Sequence, residues 1–214
     1  MKIKSIFCLC LYLCFISCNK NENKNSATYK YQKELKLFPS YMVDFFPDTL
    51  SSIHSTIENI DTTSQCIFYM NYNFKSKITV KLQNYLVKKS LQKYVSSDTS
   101  LVTIKTESVI YWDDSKKIYY KKIFKNNINY YPMPFFEKDE FENIGINSEN
   151  IYSHINSTGL SNDFVIYILD SKPGLYWKGL KPNKYMPIGW KNGYSKGICI
   201  NERENIIIYW VIIW

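Results

Sequence analysis

Nine apolar residues, IIIYWVIIW, run without interruption from Ile206 to Trp214. Successive residues of a strand point to opposite faces, so a strand with one wet face alternates polar and apolar side chains. No such alternation exists here, and a strand of this sequence must be covered on both sides. As a helix the run would span only about 14 Å, less than half of a hydrocarbon core of about 30 Å. A strand of a membrane barrel is the rival reading. It needs many alternating segments of about ten residues each, and the chain supplies few. The run therefore predicts a buried central strand in a layered fold.

The upstream segments fit that prediction. CIFYMNYNF (66–74) and DFVIYILDS (163–171) read as strands, and KGICINERENIIIYWVIIW reads as a hairpin turning at Glu202–Glu204. LVTIKTESVIYW (101–112) and KIYYKKIFKN (117–126) suggest a second hairpin. Ile78–Leu82 alternates like a strand, whereas Leu82, Leu86, Val87, Leu91, Tyr94 and Val95 are spaced for a helix over about 83–95. A short helix is expected between Phe38-Pro39 and Phe46-Pro47, because proline suits a helix start and forces the residue before it out of the helical region. A further short helix is expected from Ser148. Residues 172–195 hold half of the glycine and proline and read as one long excursion. With 19 Tyr, 12 Phe and 5 Trp against only 7 Gly and 7 Pro, the body is expected to be packed and β-rich.

The N-terminus has a different character. Lys2 and Lys4 precede the uncharged run Ile6–Ile16, which is too short to span a bilayer and has the length of a secretory h-region. Ser17 and Cys18 follow, and then the polar stretch NKNENKNSATYKYQKE. This sequence, with FISC at 15–18, resembles the bacterial lipoprotein signal peptide in its Bacteroidota form, and the body resembles small envelope lipoproteins of that group. The resemblance implies cleavage before Cys18, acyl chains on the thiol and amino group of Cys18, and anchoring in the membrane. Asn19 after the cysteine implies the outer membrane. Several acyl chains hold firmly, since each buried CH2 contributes about 0.8 kcal/mol and a single chain is marginal. The expected organisation is a signal peptide over 1–17, a flexible linker over 18–33 and one domain over 34–214.

On that organisation Cys8, Cys10 and Cys14 leave with the signal and Cys18 is the lipid site. Cys66 and Cys199 remain in strand-like runs, where they either form a disulfide in the oxidising envelope or stay as two buried thiols. The mature chain carries a net charge of about +6, since the 27 basic residues lose Lys2 and Lys4 and the 19 acidic ones lose none. Such a charge attracts anionic surfaces, but no nucleic-acid motif accompanies it.

Chemistry-bearing patterns are sparse. His54 and His154 lack HxxxH or HxH partners, so no zinc-type spacing exists. There is no GxSxG elbow, phosphate loop or dinucleotide fingerprint, and no cofactor is expected. The carboxylates of Asp113-Asp114 and Glu137–Glu142 fit a turn and a solvated face. One region stands out. The 172–195 excursion interleaves Tyr176, Trp177, Tyr185, Trp190 and Tyr194 with Lys178, Asn183, Lys191 and Asn192. Aromatic faces beside amide and amine donors suit a sugar ring or a peptide, and loops on a rigid scaffold are where such recognition sits. The bland alternative is that these rings pin the loop to the core. Taken together, the sequence predicts one α+β domain with a mostly antiparallel sheet, a few short helices and a buried C-terminal strand. The expected role is non-catalytic binding of a glycan or an envelope protein by a membrane-anchored lipoprotein. A hydrolase and an inhibitor or immunity-like protein are the other classes in view.

Overall fold

The computed structural model describes residues 22–48, 56–60, 65–72, 76–98, 101–104, 131–136, 158–183, 186 and 188–214. The Ile206–Trp214 run supplies β8 (Ile206–Ile213), and all eight of its residues are buried. It lies inside a six-stranded antiparallel sheet with β1 (Thr56–Ile60), β2 (Gln65–Tyr72), β3 (Gln92–Val95), β6 (Val165–Pro173) and β7 (Gly193–Asn201). The strand order is β1-β2-β8-β7-β6-β3. The expected hairpin is present, and β7 and β8 are joined by a turn in which Asn205 takes a positive φ of 54°. Asparagine tolerates that left-handed conformation better than most residues. The side chain of Asn201 accepts a hydrogen bond from the amide of Glu204 at 3.1 Å and braces the turn.

Both faces of the sheet are covered. On one side pack α1 (Glu22–Leu35), α2 (Ser40–Val43) and α3 (Ser76–Lys89). They bury Tyr31, Leu35, Phe38, Met42, Phe46 and Leu86 against Ile207, Tyr209, Val211 and Ile213. The other side carries a parallel two-strand pair, β4 (Thr103–Ile104) with β5 (Met133–Pro134), which covers Ile206, Ile208, Trp210, Ile212 and Trp214. The odd and even residues of β8 thus serve two separate cores, which is why its sequence shows no alternation. The fold is α+β with a mostly antiparallel sheet, as expected.

Four expectations need correction. Residues 22–33 are not a linker, because α1 begins at Glu22 and places Tyr31 and Leu35, one turn apart, in the helix-side core. Ile78–Leu82 is helical rather than a strand, and the helix ends at Lys89 rather than near 95. Tyr94 and Val95 belong instead to β3, where they pair with Ile166 and Val165. Ile78, Leu82 and Leu86 are spaced four apart, which is the helical signal that the shorter alternation obscured. The excursion is also shorter than 172–195, because β6 runs to Pro173 and β7 starts at Gly193.

The last correction concerns the cysteines. Cys66 lies opposite Ile212 and Cys199 opposite Ile208, with β8 between their strands. Two strand spacings separate them by about 10 Å sideways, and four residues by about 13 Å lengthwise. A disulfide needs Cα atoms within about 7 Å, so the fold does not bridge them, and Cys199 is a free, buried thiol. The helix between the two Phe-Pro pairs is present as α2, entered from Pro39 and ended at Asp44. Cys18, the 117–126 strand, His54, His154, Tyr185 and the helix from Ser148 lie outside the described residues.

Candidate functional site

A β-bulge builds a polar centre on the helix side of the sheet. On β6, Ile168 pairs with Gly197 and Asp170 pairs with Lys196, which leaves Leu169 as an extra residue. Before the bulge, Val165, Tyr167 and Leu169 serve the helix side while Ile166 and Ile168 serve the other. One inserted residue reverses that alternation. Asp170 and Lys172 consequently lie on the helix side, beside Tyr194 and Lys196 of β7, instead of entering an apolar core.

Asp170 is the hub. Its Oδ2 accepts a hydrogen bond from the Tyr194 hydroxyl and lies 3.4 Å from Lys172 Nζ. Tyr194 is buried, and two further tyrosine rings meet it nearly edge-on. Tyr176 lies 4.6 Å away between centroids at 81°, and Tyr41 of α2 lies 6.1 Å away at 76°. Such T-shaped contacts fit the charge distribution of aromatic rings. The Tyr176 hydroxyl donates to the carbonyl of Pro173 at 3.4 Å. Lys196 closes the base of the site. Its ammonium donates to the carbonyl of Tyr41 and to Asp44 Oδ1 at 3.1 Å, and it lies 5.3 Å from the centre of the Phe45 ring. A cation at the end of α2 satisfies carbonyls that the helix leaves open.

Electrostatics define what these groups can do. Burial pushes the Tyr194 phenol far above its ordinary range, and the hydrogen bond to Asp170 pushes in the same direction. Tyr194 therefore keeps its proton and acts as a donor to the carboxylate. Tyr41 is also raised, first by partial burial, then by Tyr176 and Asp170, against the lowering effect of Lys172. The phenols of Tyr41, Tyr176 and Tyr194, the Asp170 carboxylate and the Lys172 ammonium thus lie within electrostatic reach of each other. Tyr41 and Lys172 are exposed, while Asp170 and Tyr176 are half-buried.

The five aromatic residues singled out in the 172–195 excursion are divided. Tyr176 and Tyr194 meet at the Asp170 centre. Trp177 lies on the same side of the sheet but packs on Phe38, 5.6 Å away. Trp190 lies across the sheet, stacked at 22° on Trp214, whose Nε1 donates to the carbonyl of Trp190 at 2.7 Å. Tyr185 is outside the described residues. A flat surface containing both Trp177 and Trp190 is therefore not formed, and these two rings pin the 174–192 connection to two different cores. Reasoning from the sequence missed Tyr41, Asp170 and Lys172. Nothing in the FPSYMVDFFP segment points Tyr41 at a strand more than a hundred residues away, and only the bulge turns Asp170 to this side. Among the described residues, no group of three or more His, Cys, Asp or Glu side chains could hold a metal ion. Comparison with known proteins yields no matching family profile, curated protein or solved structure.

Proposed function

We propose that the chain is an outer-membrane-anchored lipoprotein whose domain binds a polyhydroxylated ligand, of glycan type, at the Asp170 centre without transforming it. The anchor rests on the basic, apolar, Ser17-Cys18, polar order of the first 25 residues. The binding role rests on one observation, the convergence of Tyr41 and Tyr176 around the Asp170–Lys172 pair on the helix side of the sheet. Both partners of Asp170 engage Oδ2, so Oδ1 is the acceptor a sugar hydroxyl would take. Lys172 would donate to a second oxygen, and the Tyr41 ring would stack on the apolar face of the sugar. Such a division between a ring face and a few placed polar groups is common in ligand sites.

Two measurements test the two halves separately. Labelling of cells with a palmitate analogue should mark the wild type and not Cys18→Ala; equal labelling removes the anchor. On a glycan array, the chain from Asn19 onward should retain a saccharide, and Tyr41→Ala and Asp170→Asn should each lose it by about tenfold or more, the cost of one charge-assisted contact. Unchanged retention by both variants removes the site, and an array with no retained saccharide removes the ligand class.

A further inference from the structure

We propose that the outer surface of α3, with the turn after it and strand β3, docks on an anionic phospholipid surface. Between Asp61 and Asp98 the chain has six lysines (75, 77, 81, 88, 89 and 93) and no carboxylate. The same stretch holds five of the ten large apolar residues that stand exposed among the described residues. Val80 is 60% exposed, Val87 68%, Leu91 48% and Val95 49%, and Tyr85 is exposed beside them. Single exposed apolar residues are ordinary, whereas a cluster of them in basic surroundings requires an explanation.

Helix geometry arranges the cluster. Of the α3 residues from Val80 to Lys89, only Leu86 is buried, which fixes the inward face of that part of the helix. At 100° per residue Val80 and Val87 then form one row along a side of the helix, about 100–120° round from Leu86, and Lys81 and Lys88 form a second row on the outward face. The chain continues through exposed Leu91 into β3, where Lys93 and Val95 lie opposite Tyr167 and Val165, residues of the helix-side core. Lys93 and Val95 therefore lie on the same side of the sheet as α3. Gln83 holds the carboxylate of Glu202 on the flank away from the lysine rows.

Interleaved lysines and aliphatics, with no buried polar anchor, match an amphipathic surface resting at a bilayer interface. Lysines attract the anionic headgroups, and the aliphatics enter the boundary between headgroup and acyl chain. The layer also has suitable placement. Leu86 of α3 shares one core with Tyr31 and Leu35 of α1, and α1 begins four residues after Cys18. The biological setting rests on the anchored reading above, but the docking chemistry does not, and the test omits the anchor.

The chain from Asn19 onward, which contains every described core residue, is sedimented with phosphatidylglycerol-rich vesicles and with pure phosphatidylcholine vesicles. Binding is expected to the former only, weakening as salt rises. Changing Lys81, Lys88 and Lys93 together to Gln should lower the partition on the order of a hundredfold. The same change at the exposed Lys178, Lys181 and Lys191 should lower it by less than about threefold, because short-range contact and not net charge is responsible. Val80→Ser with Val87→Ser should cost about tenfold and leave the salt dependence in place. Equal losses in the two lysine triples, equal binding to both vesicle types, or no binding to phosphatidylglycerol overturns the proposal. If the first triple unfolds, replacing the same lysines with Arg should restore both fold and binding, and failure of a folded Arg variant to bind also overturns it. None of these outcomes depends on Cys18, whose role is read by the palmitate label alone.

Discussion

The two faces of the sheet solve the same problem of burial by different means. On the face covered by β4 and β5, Trp210 and Trp214 lie over Gly197 and Gly193 of the neighbouring strand. A Cβ at Gly197 would collide with the carbonyl oxygen of Tyr167 and come within 2.5 Å of the Trp210 ring. At Gly193 it would come within 2.8 Å of both Lys172 O and Trp214 Cζ2. The missing side chains are replaced by indoles, and Gly193 also exchanges two 2.9 Å backbone hydrogen bonds with Trp214. The helix face instead mixes apolar residues with the Asp170–Tyr194 hydrogen bond and the Lys196–Asp44 ion pair. One face is fixed by shape and the other carries adjustable polar groups at its margin. The contrast teaches that a central strand can join a face fixed by shape to one that keeps polar groups at its margin.

The largest test of the contrast acts on the indole face. Trp210→Ala should lower stability by about 3–5 kcal/mol, because it removes transfer energy and leaves a cavity. Gly197→Ala should cost about 1–3 kcal/mol by overpacking the same spot, even though alanine would be the better residue in an unconstrained strand. Urea titration measures both, and a neutral Gly197→Ala would show that the Trp210 ring can move aside.

A second test separates the faces by pH. Burial raises Cys199 on the indole face and Tyr194 on the helix face above their ordinary values of 9.0 and 10.0. The unfolded chain gives up these protons at the ordinary values while the fold retains them. Their contribution is thus fully present below about pH 9 and declines as the pH rises further. Melting temperature should fall as the pH rises from about 9 to 11. Cys199→Ala should flatten the earlier part of that fall and Tyr194→Phe the later part, and an unchanged profile in both would remove these groups as its cause. At neutral pH Tyr194→Phe should cost about 1 kcal/mol, the net value of one hydrogen bond.

The smallest effect is expected at the rim. Asp44→Asn weakens a pair in which the carboxylate side chain is 63% exposed, and exposed pairs contribute about 0–1 kcal/mol. A change of about 0.5 kcal/mol or less in urea is expected. A loss several times larger would show that the ammonium of Lys196 depends on Asp44 rather than on the carbonyl of Tyr41.

The parts of the fold that were legible in the sequence are those encoded by local composition. The run to Trp214 declares a strand buried on both faces, and NEREN declares its turn. The paired glycines of GYSKG and the paired tryptophans of WVIIW share a spacing of four, a signal that sequence reasoning left unused. The rest depends on strand order. Cys66 and Cys199 both read correctly as strand residues, but nothing local reveals that β8 lies between their strands. The α1 helix was obscured because Tyr31 and Leu35 are its only two residues in the helix-side core, set in an Asn- and Lys-rich stretch. Of the candidate site, Tyr176 and Tyr194 were visible as aromatics in a loop. Asp170 was hidden because a single unpaired leucine decides which way it faces.

That leucine makes β6 a strand written in two phases. Length changes in the strand therefore act in a way that substitutions cannot. Deleting Leu169 would restore an unbroken register and leave Asp170 and Lys172 on the helix side, still opposite Lys196 and Tyr194. Inserting one residue just after Pro173 would lengthen only the connection that follows. Tolerance of single deletions along β6 should accordingly peak at position 169, the one residue of the strand without a partner in β7.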